Sequence, residues 1–249
     1  MLTVSPTDNK INTEAEITPL LANYQMLPQF WREMIADYAK GIIDRAISKI
    51  NCTTEEIAIA YQQFYTQHQI TSAATRKTWL KQYGMSQEQL ENLATRALKL
   101  EKFKHKTWGH KVPSYFLSRK RQLDRVIYSS IRVKNMGVAQ ELYFRIEERK
   151  QPFAELASQY SQVSGGLTGP IELSNLPKPL AEILSISKPG QLWSPIPTSE
   201  WLVILRLEKL IPAQLDEAMH QRLLNELFKT WLQKQLEEFI RLMSNVSFF

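Results

Sequence analysis

After Pro212, apolar residues recur at three-and-four spacing through Leu215, Met219, Leu223, Leu227, Phe228, Trp231, Leu232, Phe239 and Met243. At about 1.5 Å per residue such a helix reaches roughly 43 Å. A helix that long needs something larger than a small sheet to pack on, and the N-terminal part of the chain supplies it. Pro28 suits a first helical turn, and Phe30, Trp31, Met34, Ile35, Tyr38, Ile42, Ile43, Ala46 and Ile47 repeat with the helical period behind it. Thr53 with Glu56, and Ser86 with Gln89, have the form of capping boxes, while Gly84 stands where a helix ending at Tyr83 should stop. The second box opens a helix carrying Leu90, Leu93, Ala97, Leu98 and Leu100, and a shorter helix from Pro113 would bury Tyr115 and Phe116.

The period changes at Val126. VIYSSIRV is β-branched and aromatic enough for a strand, and Asn135-Met136-Gly137 turns it into a helical run from Val138 to Arg149. Onward the pattern predicts a short helix over Phe153 to Tyr160, a loop with Gly165, Gly166 and Gly169, and a brief strand at Ile171 to Leu173. A helix near Leu176 to Ile186, a Lys188-Pro189-Gly190 turn, and strands near Leu192 to Ile196 and Trp201 to Leu210 complete it. The fold class is therefore α+β. A β-α-α-β-α-β-β unit over 125–212 is inserted into one helical module made of 14–124 and 213–249, behind a polar, aperiodic tail over 1–13.

Composition narrows the functions. The net charge of +6 is concentrated: Arg96 to Arg125 holds Arg96, Lys99, Lys102, Lys104, Lys106, Lys111, Arg119, Lys120, Arg121 and Arg125 against Glu101 and Asp124, a local +8 that leaves −2 elsewhere. Such a segment suits a solvated helix face or acidic polypeptides; no stacking motif or zinc-finger spacing points to nucleic acid. No apolar run approaches the roughly 18 residues of a membrane span, and the first residues lack the pattern of a secretory signal. One cysteine, Cys52, permits no internal disulfide, reads as a small core residue, and fits a reducing, cytoplasmic setting. No spacing for a metal site, a nucleotide loop or a Ser-His-Asp hydrolase is present, and no cofactor is expected.

FAELASQYS, the GGLTG loop, LPKPLAEIL, KPGQLWSPIPT and LVILRLEK, in that order, resemble a parvulin-type peptidyl-prolyl isomerase domain over about 85 residues. The flanking helices, with EEIAIAYQQFYTQHQI and LKQYGMSQEQL, resemble the SurA and PrsA class of chaperones, in which helices from both chain ends form a peptide-binding module around such a domain. The resemblance implies unfolded or exported polypeptides as clients and an apolar proline pocket at Thr168, Leu176 and Leu180. It also implies that Gly166 in the glycine loop and Trp201 border the peptide. It places Ser130 and Leu202 where the family carries histidines, and Val163 where it carries Cys or Asp. Ser130, Thr198 and Ser199 are then the hydroxyls left to act, and weak catalysis is expected. The four histidines, His68, His105, His110 and His220, lie outside 125–212 and read as solvated or helix-facing. Parvulins that demand a phosphorylated residue carry a basic loop after the first strand; Lys134-Asn135-Met136-Gly137 has one cation, so no phosphate requirement is expected. The alternatives are a non-catalytic peptide-binding chaperone or an escort for a secreted peptide and, less favoured, a nucleic-acid binder.

Overall fold

The structure, a computed structural model, describes residues 27–162 and 165–245. The expected tail over 1–13, Val163 and the closing Val246–Phe249 lie outside the described residues. The chain divides into two compact units, one of residues 1–110 with 224–249 and one of 111–223. Sequence periodicity puts the joins at 124/125 and 212/213; the contacts put them further out, because residues 112–123 meet the 3₁₀ turn at Leu173–Asn175 and Arg222, early in the last helix, pairs with Glu172.

The helical unit contains α1 (Leu27–Ile47), α2 (Thr54–Gln67), α3 (Ala73–Tyr83), α4 (Gln87–Trp108) and the C-terminal part of α9 (Glu217–Asn245). Both anticipated capping boxes form: Thr53 N–H donates to Glu56 at 2.7 Å and Ser86 N–H to Gln89 at 2.8 Å. A third, Ser72 with Thr75, caps α3, and Gly84 ends α3 in the left-handed conformation with φ +61°. Helix α4 runs two turns beyond the expected Leu100, since neither glycine nor proline interrupts it before Gly109. That extension carries Phe103 and Trp108 to α9, where their ring centroids lie 5.5 Å and 5.8 Å from Trp231. Tyr38 of α1 stacks on Phe239, centroids 3.6 Å apart. The long C-terminal helix is thus held by N-terminal helices, as its length requires. Lys104 is buried in the same seam, donating to Glu101 at 2.6 Å and Asn225 at 2.8 Å. Cys52 is half-buried rather than in the core.

The sheet unit follows a 3₁₀ turn at Gly109–Lys111. It contains α5 (Val112–Leu123), β1 (Arg125–Val133), α6 (Met136–Glu147), α7 (Phe153–Tyr160), β2 (Gly166–Glu172), a 3₁₀ turn (Leu173–Asn175), α8 (Lys178–Ile186), β3 (Leu192–Pro197), β4 (Leu202–Ile211) and the start of α9. Phe116 is buried in α5 and Tyr115 half-buried. The sheet is antiparallel with order β2-β1-β4-β3. Ile131, Val133 and Ile204 meet Ala139, Leu142 and Ile146 of α6 and Phe153, Leu156 and Ala157 of α7 on one face. On the other, Val126, Tyr128, Val203, Leu205 and Leu207 pack under Leu180 and Leu184 of α8.

The glycine stretch is not the loop that its composition suggests. Gly166 to Glu172 is β2, pairing with β1 from Ser130 back to Arg125. Two residues, Gly169 and Pro170, stand opposite the single Ile127, where the register shifts. At Gly169, φ is +120° and a Cβ would lie 2.4 Å from the Val126 carbonyl oxygen, so only glycine lets β2 lie this close to β1.

Candidate functional site

Directly paired residues of antiparallel strands point to the same side of a sheet. The register therefore sets three rows on the face that α8 covers: Thr168, Tyr128 and Leu207; Gly166, Ser130, Leu205 and Trp193; and Arg132, Val203 and Ile196. Leu176, just after the 3₁₀ turn, and Leu180 of α8 pack on these rows, as does Trp201 from the β3–β4 turn. Thr168, Leu176, Leu180, Gly166, Trp201 and Ser130 are thus brought to one face.

The floor of that face is closed and apolar. Leu205 is fully buried, Val203, Tyr128 and Leu180 nearly so, while Leu176 and Trp201 are half-buried at the rim and Thr168 is exposed. Ser130 lies in the middle at 1% exposure, and its Oγ has no hydrogen-bond partner among the described residues. An unpartnered buried hydroxyl costs about 1–3 kcal/mol in desolvation. Beside it, Gly166 would meet nothing within 4 Å if it had a Cβ, so space remains at that flank. Gly165 is different: its Cβ would sit 3.0 Å from the Ser130 carbonyl oxygen and 2.4 Å from Ser161 Oγ. Ser161 Oγ accepts from Arg132 N–H at 3.2 Å and Gln162 N–H donates to the Arg132 carbonyl at 3.0 Å, joining the end of α7 to β1. At Gly165 and Gly169 the missing side chains let the backbone approach the protein's own first strand.

Two other expected positions sit elsewhere. Leu202 pairs with Val133 and packs on the opposite face, with α6 and α7; the β4 residues that share a face with Ser130 are Val203 and Leu205. Neighbouring residues of a strand take opposite faces, and the sequence alone does not show which face Leu202 takes. Thr198 Oγ1 donates to the Trp201 carbonyl at 2.8 Å and accepts from Trp201 N–H at 3.2 Å, so this hydroxyl closes the β3–β4 turn. Ser199 is exposed in the same turn. Sequence reasoning missed Arg132, Tyr128, Trp193, Ile196, Val203 and Leu205 as members of the face; stepping by two from Ser130 finds the first two. The rim is basic at Lys134, whose ammonium lies 5.0 Å from the centroid of the Trp201 ring. Trp193 is fixed by donating to Ser187 Oγ at 2.7 Å.

None of the four histidines lies on the strands or on α8. His68 stacks with Phe64, centroids 4.2 Å apart, and His220 is on α9, within the sheet unit but beyond β4. Much of the basic segment is paired internally: Arg96 with Asp44 at 2.7 Å, Lys102 with Glu56 at 2.6 Å and Lys120 with Asp124 at 3.3 Å. Among the described residues no helix is long and apolar enough to cross a membrane.

Residues 133–209 match the rotamase family model, described as the PPIC-type PPIASE domain. The match begins at the last residue of β1, so Ser130 stands just before it. Among curated proteins the sequence has no match. Among solved structures the chain is similar to the peptidylprolyl isomerase PrsA of Bacillus cereus, at 18% identity over 90% of this chain and 88% of that one, with a TM-score of 0.48. It is similar also to PrsA of Bacillus anthracis, at 20% identity over 81% and 95%, with a TM-score of 0.44. A third likeness, at 17% identity over 100% and 99% with a TM-score of 0.36, is to a structure from work on PEB4 and Cj1289, SurA-like chaperones of Campylobacter jejuni. The four-stranded sheet, its order and the family match together make the sheet unit the seat of a parvulin-type peptidyl-prolyl isomerase domain.

Proposed function

We propose that the protein is a polypeptide-binding chaperone of the parvulin isomerase type, holding unfolded or extended chains over the α8 face and turning over X-Pro bonds weakly. The observation that carries this reading is the composition of that face: Ser130 Oγ, buried without a hydrogen-bond partner among the described residues, in a largely apolar floor whose described residues include no histidine. Isomerisation breaks no bond; the catalyst lowers a rotational barrier of about 18–20 kcal/mol by favouring the twisted amide. An apolar surface at Leu176 and Leu180 takes the proline ring and excludes water. Ser130 offers a hydrogen bond to the twisting amide, and Thr168, Gly166 and Trp201 border the chain on either side. With Ser130 and Leu202 at the positions where the resemblance places histidines, part of the transition-state stabilisation is gone, at ~1.4 kcal/mol per tenfold in rate. Lys134, the one cation in the Lys134-Asn135-Met136-Gly137 loop, supports acceptance of unphosphorylated substrates.

A second reading, a chaperone or escort without turnover, is favoured by the near-complete burial of Ser130, Val203 and Leu205. The helical unit offers clients exposed apolar side chains at Ile59, Tyr83 and Ile240. NMR exchange on a proline-containing peptide separates the two. Chemical-shift changes together with accelerated cis-trans exchange support the first reading, shift changes without acceleration the second, and neither effect removes both.

A further inference from the structure

The family-matched span does not include α5, yet α5 forms part of a groove continuous with the α8 face. The Leu173 N–H donates to the Asp124 carbonyl at 3.0 Å, which fixes the 3₁₀ turn against the end of α5. Between α5, this turn and α8 lies an open groove of about 540 Å³ lined by Arg121, Leu173, Leu176, Lys178 and Glu182 among others. Leu176 belongs both to this groove and to the apolar face beneath α8. A chain lying over Leu176 is therefore led into the groove. The charge there is positive. Arg121 makes no ion pair among the described residues, and Lys178 meets Glu182 only at 3.9 Å, both side chains largely exposed. Two cations face one carboxylate, with the Ser174, Ser185 and Gln122 side chains supplying further hydrogen-bonding groups.

We propose that this groove is an extension of the polypeptide site that selects client segments carrying an aspartate or glutamate near the proline, through Arg121 and Lys178. The inference rests on the proposed reading of the α8 face and names the class of segment it prefers. It locates the acidic preference expected of the basic segment at one of its members, Arg121, joined by Lys178 from outside that segment.

The test is fluorescence anisotropy with the full chain and labelled proline peptides, one uncharged and a series in which a single aspartate is moved away from the proline on either side. At low salt, at least one acidic peptide is expected to bind roughly two- to fivefold tighter than the uncharged one, the size of an exposed ion pair. The gain should fade at high salt and vanish in the Arg121→Gln/Lys178→Gln variant, with uncharged-peptide affinity unchanged. Both side chains are exposed, so the variant is expected to keep its circular dichroism. Equal affinities for acidic and uncharged peptides in the wild type overturn the groove and leave the α8 face standing. An acidic preference that survives in the double variant does the same. If no peptide binds, both proposals fall.

Discussion

Ser130 is the residue at which stability and proposed function pull in opposite directions. Its hydroxyl is buried between Gly166 and Leu205 without a partner among the described residues, so Ser130→Ala removes a desolvated group at little loss of packing. The variant is expected to be more stable by about 1 kcal/mol in urea unfolding and slower in peptide exchange. A loss of stability would show that the hydroxyl is structural. Gly169 and Gly166 make a second contrast. Both have positive φ, but a Cβ at Gly169 strikes the Val126 carbonyl, whereas one at Gly166 meets open space. Gly169→Ala is expected to cost on the order of 3 kcal/mol and Gly166→Ala about 1 kcal/mol, read as midpoints in denaturant. The glycines are plain in the sequence; which backbone they let approach depends on strand register, a long-range property that a local motif does not contain. Leu202 shows the same limit. Its strand could be read from the sequence but not its face, because one residue of slip exchanges the faces.

At the scale of elements, β2 ends in a tie to α9. Glu172 accepts both Arg222 guanidinium nitrogens, one at 2.9 Å, and this pairing, with burial opposing it, holds the carboxyl below the usual carboxylate range. A lowered folded value means that the stabilisation is complete above the ordinary glutamate range and is lost as pH falls through the depressed value. Glu172→Gln is therefore expected to lower stability by about 1 kcal/mol at neutral pH, with the gap from wild type closing in acid. Unfolding midpoints of the two proteins measured from neutral pH downward check this; a gap independent of pH would assign the effect to packing. Helices were legible where caps and period agreed, as at Thr53, Ser86 and Gly84. The strand β2 was not, because Gly166, Gly169 and Pro170 have poor strand propensity and pairing with β1 overrides it. The same residues make sense at an edge. Both outer strands carry prolines, Pro170 in β2 and Pro195 and Pro197 in β3, which remove donors from the exposed borders of the sheet and discourage pairing with other chains.

For the whole molecule, the insertion of a sheet unit between helical segments was readable from one fact, a C-terminal helix too long for a small sheet. Its aromatic seam with α1 and α4 bears that out, while the division at 223/224, inside a continuous α9, was not readable because no break in period marks it. Among the described residues, the two units differ in how much they bury. The sheet unit has two large clusters, one on each side of the sheet, whose members include the fully buried Leu156, Leu184, Ile204, Leu205 and Leu207. Around α2 and α4 of the helical unit the cluster is Phe64, Ile70, Leu90 and Ala94, with Tyr61, Tyr65, Trp79 and Leu80 only partly covered. Since burial of apolar area is the main stabilising term, the helical unit should open first. Heating the full chain is then expected to give a calorimetric enthalpy larger than the van't Hoff value and far-UV helix loss that precedes loss of the sheet signal. The Trp231→Ala variant, which empties the seam between α4 and α9, should widen that gap by lowering the first transition alone, at a cost of about 3 kcal/mol. A single coincident transition in both proteins would mean that the shared helix α9 couples the two cores into one cooperative unit.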